Sequence, residues 1–173
     1  MQSETFQIER FHTPTGRMLV VNDDQGRLRA IDWDDHEQRM QRLLHRYHPK
    51  TALTLREVTR KSAARRALDA YFDGELGAID ALATATSGTE FQRQVWSALR
   101  RIPSGRTLSY GALAGKIGRP AAVRAVGLAN GANPIAIVVP CHRVIGANDS
   151  LTGYGGGIER KRWLLEHEAA RAR

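Results

Sequence analysis

The sequence is poor in cysteine and has no long apolar run. Its 173 residues include one cysteine, Cys141, which excludes an internal disulfide, and a free thiol suits a reducing compartment. No stretch of about 18 apolar residues occurs, so no membrane span is expected. The first four residues lack the basic region and apolar core of a secretory signal. These absences predict a cytoplasmic protein.

A metal site is also not expected. The four histidines of the first half have no cysteine or paired carboxylate at ligand spacing, and we interpret them as surface residues. They are His12, His36, His45 and His48.

Acidic residues are scarce in the second half. Residues 86–173 contain thirteen Lys or Arg and five Asp or Glu, whereas residues 1–85 contain thirteen of each, so the whole net charge of +8 lies in the second half. A basic half beside a neutral one predicts a polyanion partner reached through one domain. A basic surface that only keeps the protein in solution is the alternative.

The first half shows strand patterns followed by helix patterns. Short apolar runs separated by turn signals predict a small antiparallel meander, and helical spacing predicts two helices after it. The predicted strands are 6–11, 18–22 and 28–33, and the predicted helices are 35–47 and 59–72. The small and polar residues 85–90 are typical of a linker. We therefore expect an N-terminal domain over 1–84 and a C-terminal domain over 91–173.

The C-terminal half contains a helix-turn-helix pattern. Ser109 can cap a helix over 110–117, Gly118 breaks it, and a second helix is predicted over 121–129. This second helix has mostly small side chains and one arginine, Arg124. In a basic domain the pattern favours DNA, although a helix hairpin packed in the core would look the same. Few of its side chains can read base edges, so we expect weak sequence specificity.

Cys141 lies in a context that favours reactivity. The apolar, β-branched run 135–139 predicts a buried strand that leads through Pro140 to the cysteine. His142 and Arg143 follow directly, and either can favour the thiolate, which is the nucleophilic form. An inert buried cysteine is the alternative.

Geometry restricts the pairing of Cys141 with His142. Successive residues of an extended strand point to opposite faces, so contact needs a turn after Pro140 or a bridging water. A carboxylate must also orient the imidazole. Glu166 and Glu168 are both candidates, and the residues alone leave the choice open.

The segment 140–144, Pro-Cys-His-Arg-Val, resembles the signature of the O6-alkylguanine-DNA alkyltransferases. Further blocks agree in order and spacing: 110–111, 124–127, 130–134, 153–156 and 163–168. The resemblance covers 88–168 strongly and the first half loosely, and the layout is similar to the stand-alone bacterial type. It implies an α+β fold with a small N-terminal antiparallel sheet and helices, ribonuclease H-like, and a mainly helical C-terminal domain with a helix-turn-helix.

The resemblance implies roles for five catalytic residues. Cys141 would accept the alkyl group, and His142 would act as base through a water. Glu168 would polarise that histidine, and Asn133 would brace the turn before the cysteine. Tyr110 would donate its hydroxyl to the purine and protonate guanine as it leaves.

The resemblance also implies a DNA-binding surface and a pocket. Arg124 would fill the space left by a flipped base, with Tyr110, Val123, Ala125 and Gly127 also at the DNA. The residues implied for the substrate pocket are Val144, Tyr154, Gly155 and Gly156. Family members often have serine where Gly155 stands, so a side-chain contact is missing here, although the backbone N–H of Gly155 can still reach O6. The same change makes the pocket roomier, so that it can accept larger alkyl groups.

The implied activity is DNA repair by irreversible, stoichiometric transfer of an alkyl group from O6-alkylguanine, and also from O4-alkylthymine, in flipped-out bases. No cofactor and no metal are implied. The partner is double-stranded DNA that carries alkylated guanine. We expect a monomer that can cluster along DNA, located in the cytoplasm with the nucleoid.

Three other functions compete with this interpretation. A lesion-recognition protein that does not react would lack the cysteine. A helix-turn-helix regulator would need Arg, Asn or Gln on its reading helix. A cysteine hydrolase would need an oxyanion hole, and the glycine-rich segment 153–157 could mimic one.

Overall fold

A computed structural model describes residues 1–172 in two compact units, Met1–Ser87 and the residues from Gly88 onward. Arg173, the last residue of the predicted C-terminal domain, lies outside the described residues. The division falls inside the predicted linker 85–90, while the domain limits at 84 and 91 stay a prediction. None of the described helices has the length and apolar character needed to cross a membrane.

The first unit is built on a sheet that begins with the predicted meander. Strands β1 (Gln2–Thr13), β2 (Gly16–Asn22) and β3 (Leu28–Trp33) pair in antiparallel fashion. Apolar side chains along these strands are buried on both faces of the sheet. The three predicted strands are confirmed, although β1 starts four residues before the predicted position.

A fourth strand, β4 (Thr51–Glu57), was not predicted, and it changes the character of the sheet. It pairs in parallel with β1, from Gln2 opposite Thr51 to Ile8 opposite Glu57, and the strand order is β3-β2-β1-β4. The expected antiparallel sheet is therefore present as β1–β3, and the parallel edge strand β4 makes the whole sheet mixed. The N-terminal part of β1, which lies before the predicted start, pairs with β4. Each of these two segments depends on a partner that is distant in the sequence, so local patterns indicate neither of them.

Two helices cover this sheet. Helix α1 (Glu37–Tyr47) follows a 3-10 turn and packs Met40 and Leu44 into an apolar cluster with side chains of β1, β2 and β3. Helix α2 (Ala63–Phe72) begins four residues later than predicted. The cause is Ser62, whose hydroxyl caps the helix by accepting from Arg65 N while its backbone N–H donates to the buried Glu9 carboxylate at 2.9 Å.

The second unit is mainly helical, as predicted. Its helices are α3 (Glu90–Arg100), α4 (Tyr110–Lys116), α5 (Val123–Gly131) and α6 (Ile158–Arg171). A two-stranded parallel sheet joins β5 (Leu108–Ser109) to β6 (Val144–Ile145).

The helix-turn-helix pattern corresponds to α4 and α5. Ser109 caps α4 as predicted, its hydroxyl accepting from Ala112 N at 3.0 Å. Helix α5 begins at Val123, two residues later than predicted, because Ala122 N donates to Arg119 O in a turn before the helix.

Candidate active site

The segment before Cys141 is not the predicted buried strand. Residues 135–139 are buried but turn repeatedly, with Val138 N donating to Ala136 O at 2.8 Å. Ile137, at the centre of that tight turn, has a φ of 70°, in the left-handed region that β-branched residues rarely occupy. The prediction of a strand over 135–139 is wrong.

The side chain of Asn133 explains the turns. Its Oδ1 accepts from Ile135 N at 2.9 Å, and its Nδ2 donates to Val139 O at 2.8 Å and to Ile135 O at 3.3 Å. These backbone groups are satisfied inside the loop and need no neighbouring strand. Asn133 is itself buried, so its amide holds the chain that leads to the cysteine.

Cys141 begins a single turn of 3-10 helix, Cys141–Arg143. The turn that contact with His142 requires is therefore present directly after Pro140. Cys141 is 8% exposed and His142 is fully buried. The carbonyl of Cys141 accepts from Nδ2 of the buried Asn130 at 3.4 Å, which ties the turn to α5.

Helix α6 supplies the carboxylate of the site. Glu168 Oε1 lies 2.8 Å from His142 Nε2, whereas Glu166 is exposed. This answers the question that the residues left open, in favour of Glu168. The other ring nitrogen, His142 Nδ1, is buried without a hydrogen-bond partner among the described residues.

Arg143 is directed to Glu168 and not to the thiol. Its Nε donates to Glu168 Oε2 at 3.0 Å and its Nη2 to Oε1 at 2.8 Å, and Nη1 donates to Ile102 O at 2.7 Å. One buried carboxylate thus serves both His142 and Arg143. The guanidinium fixes the carboxylate in place and compensates its charge.

The ionisation of this group follows from burial and charge. Burial opposes a charge on Glu168, but His142 and Arg143 hold the pKa of its carboxyl well below the usual range. Burial lowers the pKa of His142, although Glu168 acts to raise it. The resting state is therefore a neutral imidazole beside a carboxylate. The Nε2–H group donates a hydrogen bond to Glu168, so Nδ1 carries no proton and its lone pair can accept one.

Stability should fall on acidification. The pKa of His142 lies below its ordinary value of 6.5 and that of Glu168 below its ordinary 4.5. Below each ordinary value the unfolded chain binds a proton that the folded chain does not, so folding loses free energy as the pH decreases. We expect the free energy of unfolding in urea to decrease below pH 6.5 and more steeply below pH 4.5. The exposed His12→Gln variant should show the same profile, and a flat profile from pH 7 to pH 4 would contradict these ionisation states.

Tyr110 is brought to the site by the small parallel sheet. Leu108 pairs with Val144 and Ser109 with Ile145, so Tyr110 follows a strand that runs beside the exit from the cysteine turn. Its hydroxyl accepts from Thr152 Oγ1 at 3.2 Å.

Sequence reasoning missed Lys161, which α6 places in the same region. Lys161 is fully buried, and its Nζ donates to Val144 O at 2.6 Å and to Thr152 O at 3.1 Å. Burial lowers the pKa of Lys161, while the charge of a Cys141 thiolate acts in the opposite direction. The available signal was its spacing of seven residues from Glu168, which places both on one face of a helix.

Comparison with known proteins identifies the family. The model of the 6-O-methylguanine DNA methyltransferase DNA-binding domain matches residues 90–170, and that of the ribonuclease-like domain of the same proteins matches residues 8–86. The chain belongs to the 6-O-methylguanine DNA methyltransferase family. A methylated-DNA–protein-cysteine methyltransferase of Salmonella typhimurium strain LT2 is 54% identical over 160 residues, 92% of this chain and 94% of that protein.

The fold of the chain is similar to that of solved structures of this family. The O6-methylguanine methyltransferase of Mycobacterium tuberculosis is 41% identical, with a TM-score of 0.77 over 97% of this chain and 95% of that one. The OGT of the same organism, in complex with DNA, is 42% identical with a TM-score of 0.76 over 95% and 94%. The α+β fold with a ribonuclease-like first half and a DNA-binding second half is thereby confirmed.

In this methyltransferase, α5 carries the residues expected at DNA. Val123, Arg124 and Ala125 are exposed at its start, and Gly127 is half-buried. Arg124 forms no ion pair within the described part of the chain. A Cβ added at Gly127 would lie 3.8 Å from Tyr110 Cδ1, so the start of α4 and the middle of α5 are close together.

The residues expected in the methyltransferase's pocket lie in two segments. Val144 is buried in β6, and Gly156 is buried in the loop before α6. Tyr154 and Gly155 are half-buried in the same loop. Within residues 1–172, no three His, Cys, Asp or Glu side chains are grouped so that they could hold a metal ion.

Proposed function

We propose that this chain repairs alkylated DNA by moving an alkyl group from O6 of guanine, and also from O4 of thymine, to Cys141. The observation that carries the proposal is the buried His142, which donates to Glu168 from one nitrogen and keeps the other open, one residue after the cysteine. The family of the chain and the names of its relatives support the same chemistry.

The first step is formation of the thiolate. His142 Nδ1 accepts the thiol proton of Cys141 through a bridging water, and Glu168 stabilises the imidazolium that results. The buried ammonium of Lys161 lies where it favours the negative sulfur. Asn133 holds the backbone that presents the cysteine.

The second step is displacement at the alkyl carbon. The Cys141 thiolate attacks this carbon, the bond from carbon to O6 breaks, and its electron pair goes to the guanine. Tyr110 donates a proton to the departing base. The product is a thioether with no good leaving group, so each molecule acts once. The thiol proton that His142 takes up balances the proton that Tyr110 gives to the base, and the proposal includes no cofactor.

The base must leave the helical stack to reach the cysteine, which costs a few kcal/mol. We propose that Arg124 enters the space and that Tyr110, Val123, Ala125 and Gly127 adjoin the DNA. Small side chains on α5 allow this close approach.

We propose that Val144, Tyr154, Gly155 and Gly156 line the pocket for the flipped base. The carbonyls of Cys141 and Val144 already accept from Asn130 and Lys161. Each has a second lone pair that can accept from the guanine amino group. The absence of a side chain at Gly155 leaves room for larger alkyl groups.

We propose domains over 1–84 and 91–173 joined by 85–90, with the second domain binding double-stranded DNA that carries alkylated guanine. The protein acts as a monomer that can cluster along DNA, in the cytoplasm with the nucleoid. The excess of cations in residues 86–173 supports this partner.

A titration tests the stoichiometry. A duplex with one O6-methylguanine is mixed with increasing amounts of protein, and the restored guanine is quantified after digestion. Restoration of one guanine per protein molecule, without further turnover, is the expected result. Tight binding without restoration would favour a protein that only recognises lesions, and more than one guanine per molecule would exclude a stoichiometric acceptor.

DNA affinity should weaken with salt. Cations that neutralise phosphates release counterions, so the logarithm of the association constant falls with the logarithm of salt concentration, by about 0.9 per phosphate neutralised. Fluorescence anisotropy with a labelled duplex and Cys141→Ser protein measures this slope. A flat response would contradict a DNA surface built on the basic half of the chain.

A further inference from the structure

The loop after β6 folds back onto its own start. Gly146 N donates to Ser150 O at 2.8 Å, and Thr152 N donates to the same carbonyl at 3.1 Å. A Cβ added at Gly146 would lie 3.2 Å from Thr152 Cγ2, so these two residues pack closely together. Gly146 directly follows β6, and β6 pairs with β5. The loop therefore returns Thr152 to the place where Tyr110 leaves β5 and begins α4.

A buried ammonium group holds the backbone of Thr152 in this place. The carbonyl of Thr152 accepts from Lys161 Nζ at 3.1 Å, and the same nitrogen donates to Val144 O at 2.6 Å. Lys161 is fully buried on α6. Hydrogen bonds from a buried charge are costly to break. Thr152 is thus anchored from the interior, although the residue itself is exposed.

The hydroxyl of Thr152 contacts the hydroxyl of Tyr110. Thr152 Oγ1 donates to the Tyr110 oxygen at 3.2 Å. Each hydroxyl has a single proton. Because the Tyr110 oxygen accepts from Thr152, the proton of Tyr110 is free to be donated to another group. Once Tyr110 has given up that proton, its oxygen is negative, and a hydrogen bond to a charged acceptor is stronger than one to a neutral acceptor.

We propose that Thr152 is a positioning residue for alkyl transfer, which directs the proton of Tyr110 to the departing guanine and stabilises the phenolate that remains. This role rests on the proposed function, in which Tyr110 protonates the base. The guanine receives the Tyr110 proton and the electron pair of the broken bond to O6, while Thr152 keeps its own proton. The hydrogen bond strengthens as the charge develops, so it lowers the barrier to transfer.

A contact with a DNA phosphate is the alternative role for an exposed threonine, because hydroxyl side chains often bind phosphate oxygens. The hydrogen bond to Tyr110 and the anchor at Lys161 favour the first role, since a phosphate contact requires neither. The two roles also act on different quantities. A phosphate contact changes duplex affinity, whereas a contact with Tyr110 changes the rate of transfer from duplex and free base alike.

Single-turnover kinetics of Thr152→Val and Thr152→Ser test the proposal. Valine keeps the methyl group that packs on Gly146 and loses the hydroxyl, whereas serine keeps the hydroxyl. We expect Thr152→Val to slow transfer about tenfold, as for loss of one hydrogen bond to a charged group, and Thr152→Ser to react within about twofold of wild type. The loss should be equal on a methylated duplex and on free O6-benzylguanine. Thr107→Val, at an exposed threonine of the same unit, is the matched control and should react at the wild-type rate.

A double-mutant cycle shows whether Thr152 acts through Tyr110. The Tyr110→Phe variant lacks the phenol oxygen, so adding Thr152→Val to it should cause no further loss of rate. Duplex affinity is measured in the Cys141→Ser background, where Thr152→Val should bind as the background protein does.

The outcomes separate this inference from the proposed function. If wild type transfers an alkyl group from neither the duplex nor the free base, the proposed function fails. If wild type reacts and Thr152→Val reacts at the same rate, or Thr152→Ser is as slow as Thr152→Val, this inference alone is overturned. A full loss from Thr152→Val in the Tyr110→Phe background would show that Thr152 does not act through Tyr110. A loss confined to the duplex, with weaker binding, would overturn the inference in favour of a phosphate contact.

Discussion

Replacing Glu168 with glutamine should slow alkyl transfer by about two to three orders of magnitude, within the range known for loss of general acid–base assistance. The neutral amide cannot stabilise the imidazolium that forms when His142 takes the thiol proton. Single-turnover kinetics on a methylated duplex measures the loss. Glu166→Gln is the matched control, because Glu166 is exposed on the same helix, and it should react at the wild-type rate.

The same variant should also change stability and pH dependence. Arg143 would lose the carboxylate that compensates its buried charge, and breaking such a pair typically costs about 3–5 kcal/mol. Glu168 raises the pKa of His142, so its removal should move the acid limb of the rate profile to lower pH. A purely structural role would leave that limb in place. A Glu168→Gln rate within threefold of wild type would contradict the proposed base.

Replacing Arg124 with alanine should reduce repair of duplex DNA about 100-fold. This corresponds to about 2.7 kcal/mol of lost compensation for the extruded base, since each 1.36 kcal/mol is tenfold in rate. The free base does not need to be extruded, so reaction with free O6-benzylguanine should not change. The comparison of the two rate constants for one variant is the measurement.

The control for Arg124 is an arginine of the same unit away from α5. Arg162 is exposed on α6, where it pairs with Glu159, and Arg162→Ala should affect both substrates little. Equal losses of Arg124→Ala on duplex and free base would contradict the role of Arg124 in the stack.

Local patterns predicted the part of the fold that local interactions determine. Strand β3 has the predicted limits, and its neighbours β1 and β2 were found, because apolar runs and tight turns mark a meander in the sequence. Strand β4 was not found, since its pattern is half-exposed and its partner is the distant start of β1. Parallel pairing across such a separation leaves little local signal.

The chemistry of the site was easier to predict than its backbone. The adjacency of Cys141 and His142 indicates a nucleophile and a base. The run 135–139 has the composition of a strand, because composition cannot show that Asn133 satisfies its backbone groups. The sequence does not show that Asn130 and Lys161 bond to backbone carbonyls, and the spacing of Lys161 from Glu168 indicates only that the two share a helix face.

Local patterns also do not predict how α6 packs against the cysteine turn. Glu166 and Glu168 are two residues apart on a helix and point in different directions, so the packing of the helix decides which one meets His142. The resemblance to the family favoured Glu168 before the structure did.

Intact mass spectrometry tests the central claim most directly. The protein is mixed with a duplex that contains one O6-methylguanine, and Cys141→Ser is treated in parallel. We expect a gain of about 14 Da, one methyl replacing the thiol proton, which peptide mapping assigns to Cys141 and which the variant lacks. An unchanged mass of the wild-type protein, or the same gain in Cys141→Ser, would contradict alkyl transfer to this cysteine.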